Sequence, residues 1–194
     1  MKGRGFYTFA KGVMGLAMRV MYRLKVENME HIPLDGGFVL CGNHLSSLDP
    51  ILIAACVKRP MNFIGKKELF NSRFNRQLFK MLHAFPVNRG AVDMQAYRTA
   101  IRVLEAGEGL MVFSQGHRMK DFDSVKNGAA MFALKAGVPI VPVGLKSDYK
   151  LGQPVRIRFG PAIDTSAYQG RRVDTALVEE VMSQVVPAVK ELTV

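Results

Sequence analysis

From residue 26 onward, short apolar runs alternate with longer stretches of helical periodicity, and few architectures accept that pattern. The runs at 38–42, 61–65, 83–87, 109–114, 139–145 and 155–160 have the length and bounding turn residues of strands. The segments 50–58, 72–82, 93–106, 126–136 and 173–192 read as helices. The third of these opens at Asp93, sets Met94, Tyr97, Ile101 and Leu104 on one face, and ends near Gly107. Strands alternating with helices imply a single α/β domain with a largely parallel or mixed central sheet flanked by helices. No linker, composition break or internal repeat divides 26–194, and 194 residues suit one domain with a sizeable core. The two prolines of Val138-Pro139-Ile140-Val141-Pro142-Val143 assign that strand to a sheet edge or a bulge.

Residues 1–25 differ in character from the rest of the chain. They carry six basic residues, Lys2, Arg4, Lys11, Arg19, Arg23 and Lys25, and no acidic ones. Phe6, Phe9, Val13, Leu16, Val20 and Leu24 recur at three and four, which makes one apolar helical face. Charge interrupts the stretch too often for it to span a bilayer, and no compact apolar segment precedes a small-residue cleavage site. A basic amphipathic helix of this kind can lie in the headgroup region of an anionic membrane. The alternative is a terminal helix packed on the domain, and Gly12 and Gly15 weaken helicity in either case. The chain is therefore expected to divide into a membrane-contacting segment, 1–25, and a domain, 26–194.

The net charge of +11 and pI near 9.9 call for anionic partners: a phospholipid surface, a phosphorylated substrate, an acidic carrier or nucleic acid. Nucleic acid is the weaker option, because Trp is absent and aromatics are not interleaved with the basic runs. Two cysteines, Cys41 and Cys56, are too few for a disulfide framework and point to a reducing compartment. The histidines His31, His44, His83 and His117 form no metal-binding pattern, so no metal is expected.

Chemistry concentrates in Asn43-His44-Leu45-Ser46-Ser47-Leu48-Asp49-Pro50. His44 and Asp49 are five positions apart, a spacing that keeps them apart on a helix or a strand, so contact needs a turn. Ser46 and Ser47 suit that turn, and Asp49-Pro50 reads as N-cap and first helical residue. Asp49 could then hold the His44 ring in one tautomer and stabilise its imidazolium. A helix cap beside a polar loop histidine explains the same eight residues.

With partners further along, the stretch resembles the signature of the 1-acylglycerol-3-phosphate acyltransferases and related glycerolipid acyltransferases. The resemblance implies that His44 is a catalytic base oriented by Asp49, taking the proton of a glycerol hydroxyl that attacks an acyl thioester. Lys66 resembles the lysine of the family's Lys-x-Glu-Leu segment, and Phe85-Pro86-Val87-Asn88-Arg89-Gly90 resembles its Phe-Pro-Val-Asp-Arg-Gly, with Asn88 for Asp. Each basic residue follows the C-terminal end of an expected strand, where ligands of open α/β sheets gather. Arg73, Arg76 and Lys80 read instead as a solvated helix face. Phe113-Ser114-Gln115-Gly116-His117-Arg118 resembles Phe-Pro-Glu-Gly-Thr-Arg, departing at Ser114, Gln115 and His117. By this resemblance Lys66, Arg89 and Arg118 hold an acceptor phosphate, and Asn43, Gln115 and Gly116 complete the binding site. Oxyanion donors are expected among backbone N–H groups near Pro50 or Gly116.

Two rivals fail on sequence. Val112-Phe113-Ser114-Gln115-Gly116 lacks the first glycine of a nucleophile elbow, and no Ser, acid, His order is present after it. Gly107-Glu108-Gly109 lacks the rest of a phosphate loop. The expected activity is acylation of lysophosphatidic acid to phosphatidic acid in phospholipid biosynthesis. The donor is an acyl thioester of coenzyme A or acyl carrier protein, and no bound cofactor is expected. The expected location is peripheral or monotopic on the cytoplasmic face of an anionic membrane. Gln115, which lacks the family's charge, also admits a weakened or non-catalytic lipid-binding relative.

Overall fold

A computed structural model describes residues 4–88, 93–113 and 127–194. Helix α1 (Arg4–Met21) leads directly into strand β1 (Arg23–Glu27). The remaining elements are β2 (Phe38–Gly42), α2 (Asp49–Cys56), β3 (Met61–Lys66), α3 (Arg73–Met81), β4 (Ala84–Val87), α4 (Met94–Glu105), β5 (Gly109–Phe113), α5 (Gly128–Ala136), β6 (Ile140–Lys146), β7 (Pro154–Phe159) and α6 (Thr175–Leu192). They build one mixed sheet in the order β1-β7-β6-β2-β5-β3-β4. Strands β2 to β6 are mutually parallel; β7 is antiparallel to β6, and β1 runs parallel to β7.

β2 lies at the centre and is buried on both faces, as its continuous apolar run requires. Its alternation sends Phe38 and Leu40 to one core, with Leu52 and Ile53 of α2 and Met18 of α1. Val39 and Cys41 face the other, among residues of α4, α5 and α6. Complete burial of Phe38 and Leu40 stabilises by roughly 1.5–3 kcal/mol each. Burial also pushes the Cys41 thiol up to about 12, so it behaves as a small apolar side chain.

The placement of α2 and α5 on opposite faces determines where a site can form. The connection leaving β2 runs over one face to β3, whereas the one leaving β5 reaches β6 across the other. Since β2 and β5 are neighbours, their C-terminal ends flank a topological switch point, the crevice where open α/β sheets bind ligands.

Three expectations need correction. β1 was absent from the expected strands, and its start at Arg23 cuts across the 25/26 boundary. Leu24 and Val26 turn to the core while Arg23, Lys25 and Glu27 alternate with them, a period-two signal masked by the helical series ending at Leu24. The proline-bearing strand β6 is interior, between β7 and β2. Pro142 is tolerated there because its missing N–H falls between the last β7 pair, Val143–Phe159, and the isolated bridge Ile140–Ile163. Asp49 is not the N-cap of α2; Leu48 is, with Pro50 in the first turn.

In α1, Met18 and Gly15 are buried, and a Cβ on Gly15 would lie 3.3 Å from the Ala55 Cβ. The glycine that weakens the helix thus lets it approach α2 closely. Val13, Leu16 and Val20, members of the expected apolar face, remain exposed at 55%, 66% and 79%. The helix packs by its small-residue side and leaves the apolar stripe uncovered by described residues. No helix among the described residues is long and apolar enough to cross a membrane.

Candidate active site

The loop after β2 begins with a constraint at Gly42. A Cβ there would sit 2.7 Å from the Val143 carbonyl oxygen, so only glycine lets β2 run this close to β6. Asn43 comes next and is buried. Its Nδ2 donates to the Leu145 carbonyl at 2.9 Å, and the Leu145 N–H donates to its Oδ1 at 2.8 Å. The side chain expected to line the acceptor site therefore has its amide engaged on β6, where it extends the β2–β6 ladder.

Beyond Asn43 the backbone turns, bringing His44 Nδ1 to 2.7 Å from Asp49 Oδ2. The carboxylate is fully buried, whereas the His44 side chain keeps 16% of its surface exposed. Asp49 does not cap its own helix; it reaches back along the loop. Its Oδ2 also accepts the N–H groups of Leu45, at 2.7 Å, and Ser46, at 2.9 Å. Its Oδ1 accepts the hydroxyl of Tyr149, from the β6–β7 connection. A buried carboxylate is costly unless hydrogen-bonded, and here four donors converge on it. With Nδ1 engaged, Nε2 is left for chemistry.

Phe113, the last residue of β5, stacks on the His44 ring with centroids 4.1 Å apart and planes at 20°. The histidine is thus held at its edge by Asp49 and across its face by an aromatic from the neighbouring strand. The contact bridges the C-terminal ends of β2 and β5, which flank the switch point. An imidazole so held can exchange a proton at its free nitrogen without reorienting. The expected oxyanion donors at the start of α2 are narrowed. Among the described residues, the N–H groups of Leu45, Ser46, Leu48 and Asp49 are already bonded and Pro50 has none, which leaves those of Ser47 and Ile51.

Lys66 ends β3 at the same sheet edge, exposed, with its Nζ 3.2 Å from Glu68 Oε1. Arg89, Gln115, Gly116 and Arg118 lie outside the described residues, as does His117. The flanks of two of these segments are visible. Asn88 donates its N–H to Asp93 Oδ2 at 3.0 Å, tying the end of β4 to the start of α4. Among the described residues, no group of three or more His, Cys, Asp and Glu could hold a metal ion.

Sequence reasoning missed Tyr149. It lies in Lys146-Ser147-Asp148-Tyr149-Lys150, a polar connection with no periodicity, 100 positions from its partner. No local signal marks it.

Comparisons with known proteins point to one family. The acyltransferase family model matches residues 23–146, which contain β1 through β6 and the whole His44–Asp49 loop. A 1-acyl-sn-glycerol-3-phosphate acyltransferase of Bacillus subtilis is 30% identical over 137 residues, 70% of this chain and 69% of the relative. Its counterpart in Streptococcus pneumoniae is 31% identical over 172 residues, which covers 84% of this chain and 64% of that protein. The crystal structure of the 1-acyl-sn-glycerophosphate acyltransferase PlsC from Thermotoga maritima superposes with a TM-score of 0.73 at 27% identity, covering 94% of this chain and 78% of that one. The chain is an acyltransferase and belongs to the family of the 1-acyl-sn-glycerol-3-phosphate acyltransferases.

Proposed function

We propose that this enzyme transfers an acyl chain from a thioester to the free hydroxyl of lysophosphatidic acid, yielding phosphatidic acid in phospholipid synthesis. The observation that carries the mechanism is the 2.7 Å bond between His44 Nδ1 and Asp49 Oδ2. In this reading Nε2 takes the proton of the acceptor hydroxyl as its oxygen attacks the thioester carbonyl. The resulting imidazolium is balanced by Asp49. Collapse of the tetrahedral intermediate breaks the carbon–sulfur bond, and the imidazolium returns the proton to the departing thiolate. The ester product and a free thiol leave. No serine or cysteine nucleophile is needed, since the substrate brings its own.

Lys66 supplies a point charge for the acceptor phosphate at the sheet edge, and its ion pair with exposed Glu68 is weak enough to exchange. Arg89 and Arg118 join it on the strength of the family resemblance, with Gln115 and Gly116 completing that side. The donor is a thioester of coenzyme A or of acyl carrier protein; the chain's net charge of +11 suits either. The uncovered apolar stripe of α1, with Arg19 beside it, supports docking on an anionic membrane surface, which in this reading is the cytoplasmic face. The test is product analysis by mass spectrometry after purified protein is offered both donors with several lysophospholipids. Phosphatidic acid is expected, and absence of any acylated phospholipid would contradict the reading.

A further inference from the structure

The dyad has a third member in space. Tyr149 donates its hydroxyl to Asp49 Oδ1, while His44, Leu45 and Ser46 all bond Oδ2. Among the described residues, nothing else bonds the second oxygen of this fully buried carboxylate. Burial, then the adjacent Asp49 charge, push the Tyr149 hydroxyl well above its ordinary value, so it remains protonated and is the donor. The residue adopts φ 54°, a left-handed conformation that bulky side chains rarely take. The Tyr149 N–H bonds Ser147 Oγ at 2.9 Å, and its ring meets Tyr22 edge to face at 6.1 Å. Three residues further on, the Gly152 N–H donates to the Met21 carbonyl at the end of α1, at 3.0 Å.

We propose that Tyr149 is a positioning residue of the acyl-transfer site, fixing the Asp49 carboxylate so that Oδ2 stays on His44 Nδ1. The proposal rests on the reading of His44 as base and Asp49 as its orienting partner. The hydroxyl acts on Asp49 in two ways. It blocks rotation of the carboxylate, and it draws off part of the negative charge that stabilises the imidazolium. Among the described residues, His44 and Tyr149 are the titratable groups bonded to Asp49, and Tyr22 packs against the Tyr149 ring.

Tyr149→Phe removes one oxygen and leaves Oδ1 without a donor, so the carboxylate carries more uncompensated charge and holds the imidazolium more tightly. The acidic limb of the kcat/KM profile should move to higher pH, and kcat should fall about tenfold or more with acceptor KM little changed. Incorporating 3-fluorotyrosine at position 149 strengthens the donor without disturbing the ring, and should move the same limb to lower pH. In an Asp49→Asn background, Tyr149→Phe should add almost nothing, since both changes act through one carboxylate.

Wild-type turnover with an unmoved acidic limb in Tyr149→Phe would overturn the proposal. So would a full additional loss in the Asp49→Asn background. Should Tyr149→Phe not fold, the fluorotyrosine protein decides, and an unmoved limb there overturns it. Full turnover by His44→Ala would sink the base reading itself. An inactive His44→Ala beside an unaffected Tyr149→Phe would sink only the role of Tyr149.

Discussion

Asn43 and Leu145 exchange two hydrogen bonds, side-chain amide against backbone peptide, at 2.9 and 2.8 Å. The pair ties the loop that carries His44 to the end of β6, which carries the connection to Tyr149. Both side-chain partners of Asp49, His44 and Tyr149, therefore hang from one clamp. Asn43→Ala should leave a buried peptide unsatisfied and cost about 1–3 kcal/mol, read by urea unfolding. Asn43→Asp should also destabilise, because a carboxylate cannot donate to the Leu145 carbonyl. In kinetics kcat should fall; a rise confined to acceptor KM would instead give Asn43 a direct hold on substrate.

The His44–Asp49 pair makes a separable prediction. His44→Ala should lower turnover by at least ~100-fold, the scale of general-base catalysis, without unfolding the protein, since the His44 side chain is partly exposed. Asp49→Asn should lose activity too, because the amide can present the wrong hydrogen-bonding partner to Nδ1. It should also destabilise the fold, since only one amide end can accept from the donors that now surround both oxygens. Unfolding midpoints alongside turnover distinguish the two variants.

The N-terminal segment should come apart in two stages. Deleting residues 1–21 removes α1 with its exposed Val13, Leu16 and Val20, and should release the protein from anionic vesicles. Raising salt should weaken binding of the intact chain, since Arg19 and its basic neighbours act through screened charge. Deleting 1–25 also removes buried Tyr22 and three residues of β1, leaving the β7 edge unpaired. The longer deletion should lower the unfolding midpoint further. Co-sedimentation and thermal unfolding check the two stages, and full vesicle binding by the shorter chain would place the lipid contact elsewhere.

Asp93 gives a pH signature. Its carboxyl is held below the ordinary carboxylate value, chiefly by the Ala96 N–H, then by that of Asn88. Because the folded value is lowered, its contribution is present above the ordinary value, about 3.9, and is lost as pH falls through the folded one. Protection of the Asn88 and Ala96 amides, their exchange measured relative to the intrinsic rate at each pH, should fall in that acidic window, and Asp93→Asn should abolish the transition. Protection unchanged across the window would contradict the coupling.

Gln115 stands where the family it resembles has Glu. If the site is built around the neutral amide, Gln115→Glu should repel the acceptor phosphate and raise acceptor KM. If the acid is needed to organise Arg118, the new charge-assisted bond should raise turnover. Retention of His44, Asp49, Lys66, Arg89 and Arg118 favours the first outcome. A severalfold gain in kcat for the Glu protein would reverse that preference.

Much of the fold was legible because burial writes itself into local pattern. The apolar run Phe38–Gly42 read as a strand and is one, and Asp93 announced α4 through its cap. What escaped depended on distant partners. β1 is a strand because β7, far along the chain, supplies its ladder, and its mixed charge hid the alternation. Pro142 looked like an edge or bulge residue because its tolerance depends on where β7 stops. In the site, the five-residue spacing of His44 and Asp49 demanded a turn, and a turn is there. Capping propensity then misread Asp49, because its stronger partners lie behind it in the loop. The use of Asn43 on Leu145 and of Tyr149 on Asp49 could not be seen, since each spans about half the chain with no periodic trace.

The bond from Tyr149 to Asp49 also sets an order of events at the ribosome. The carboxylate emerges 100 residues before the hydroxyl that will satisfy its second oxygen, roughly 5–20 s at chain-synthesis rates of ~5–20 residues per second. Throughout that interval α1 and α2 can form and meet, while β2 still lacks both neighbouring strands for much of the time. Helix α1 is therefore in place before the Asp49 carboxylate has all its donors. The full set of hydrogen bonds on Asp49 can therefore close only after synthesis has passed the β6–β7 connection.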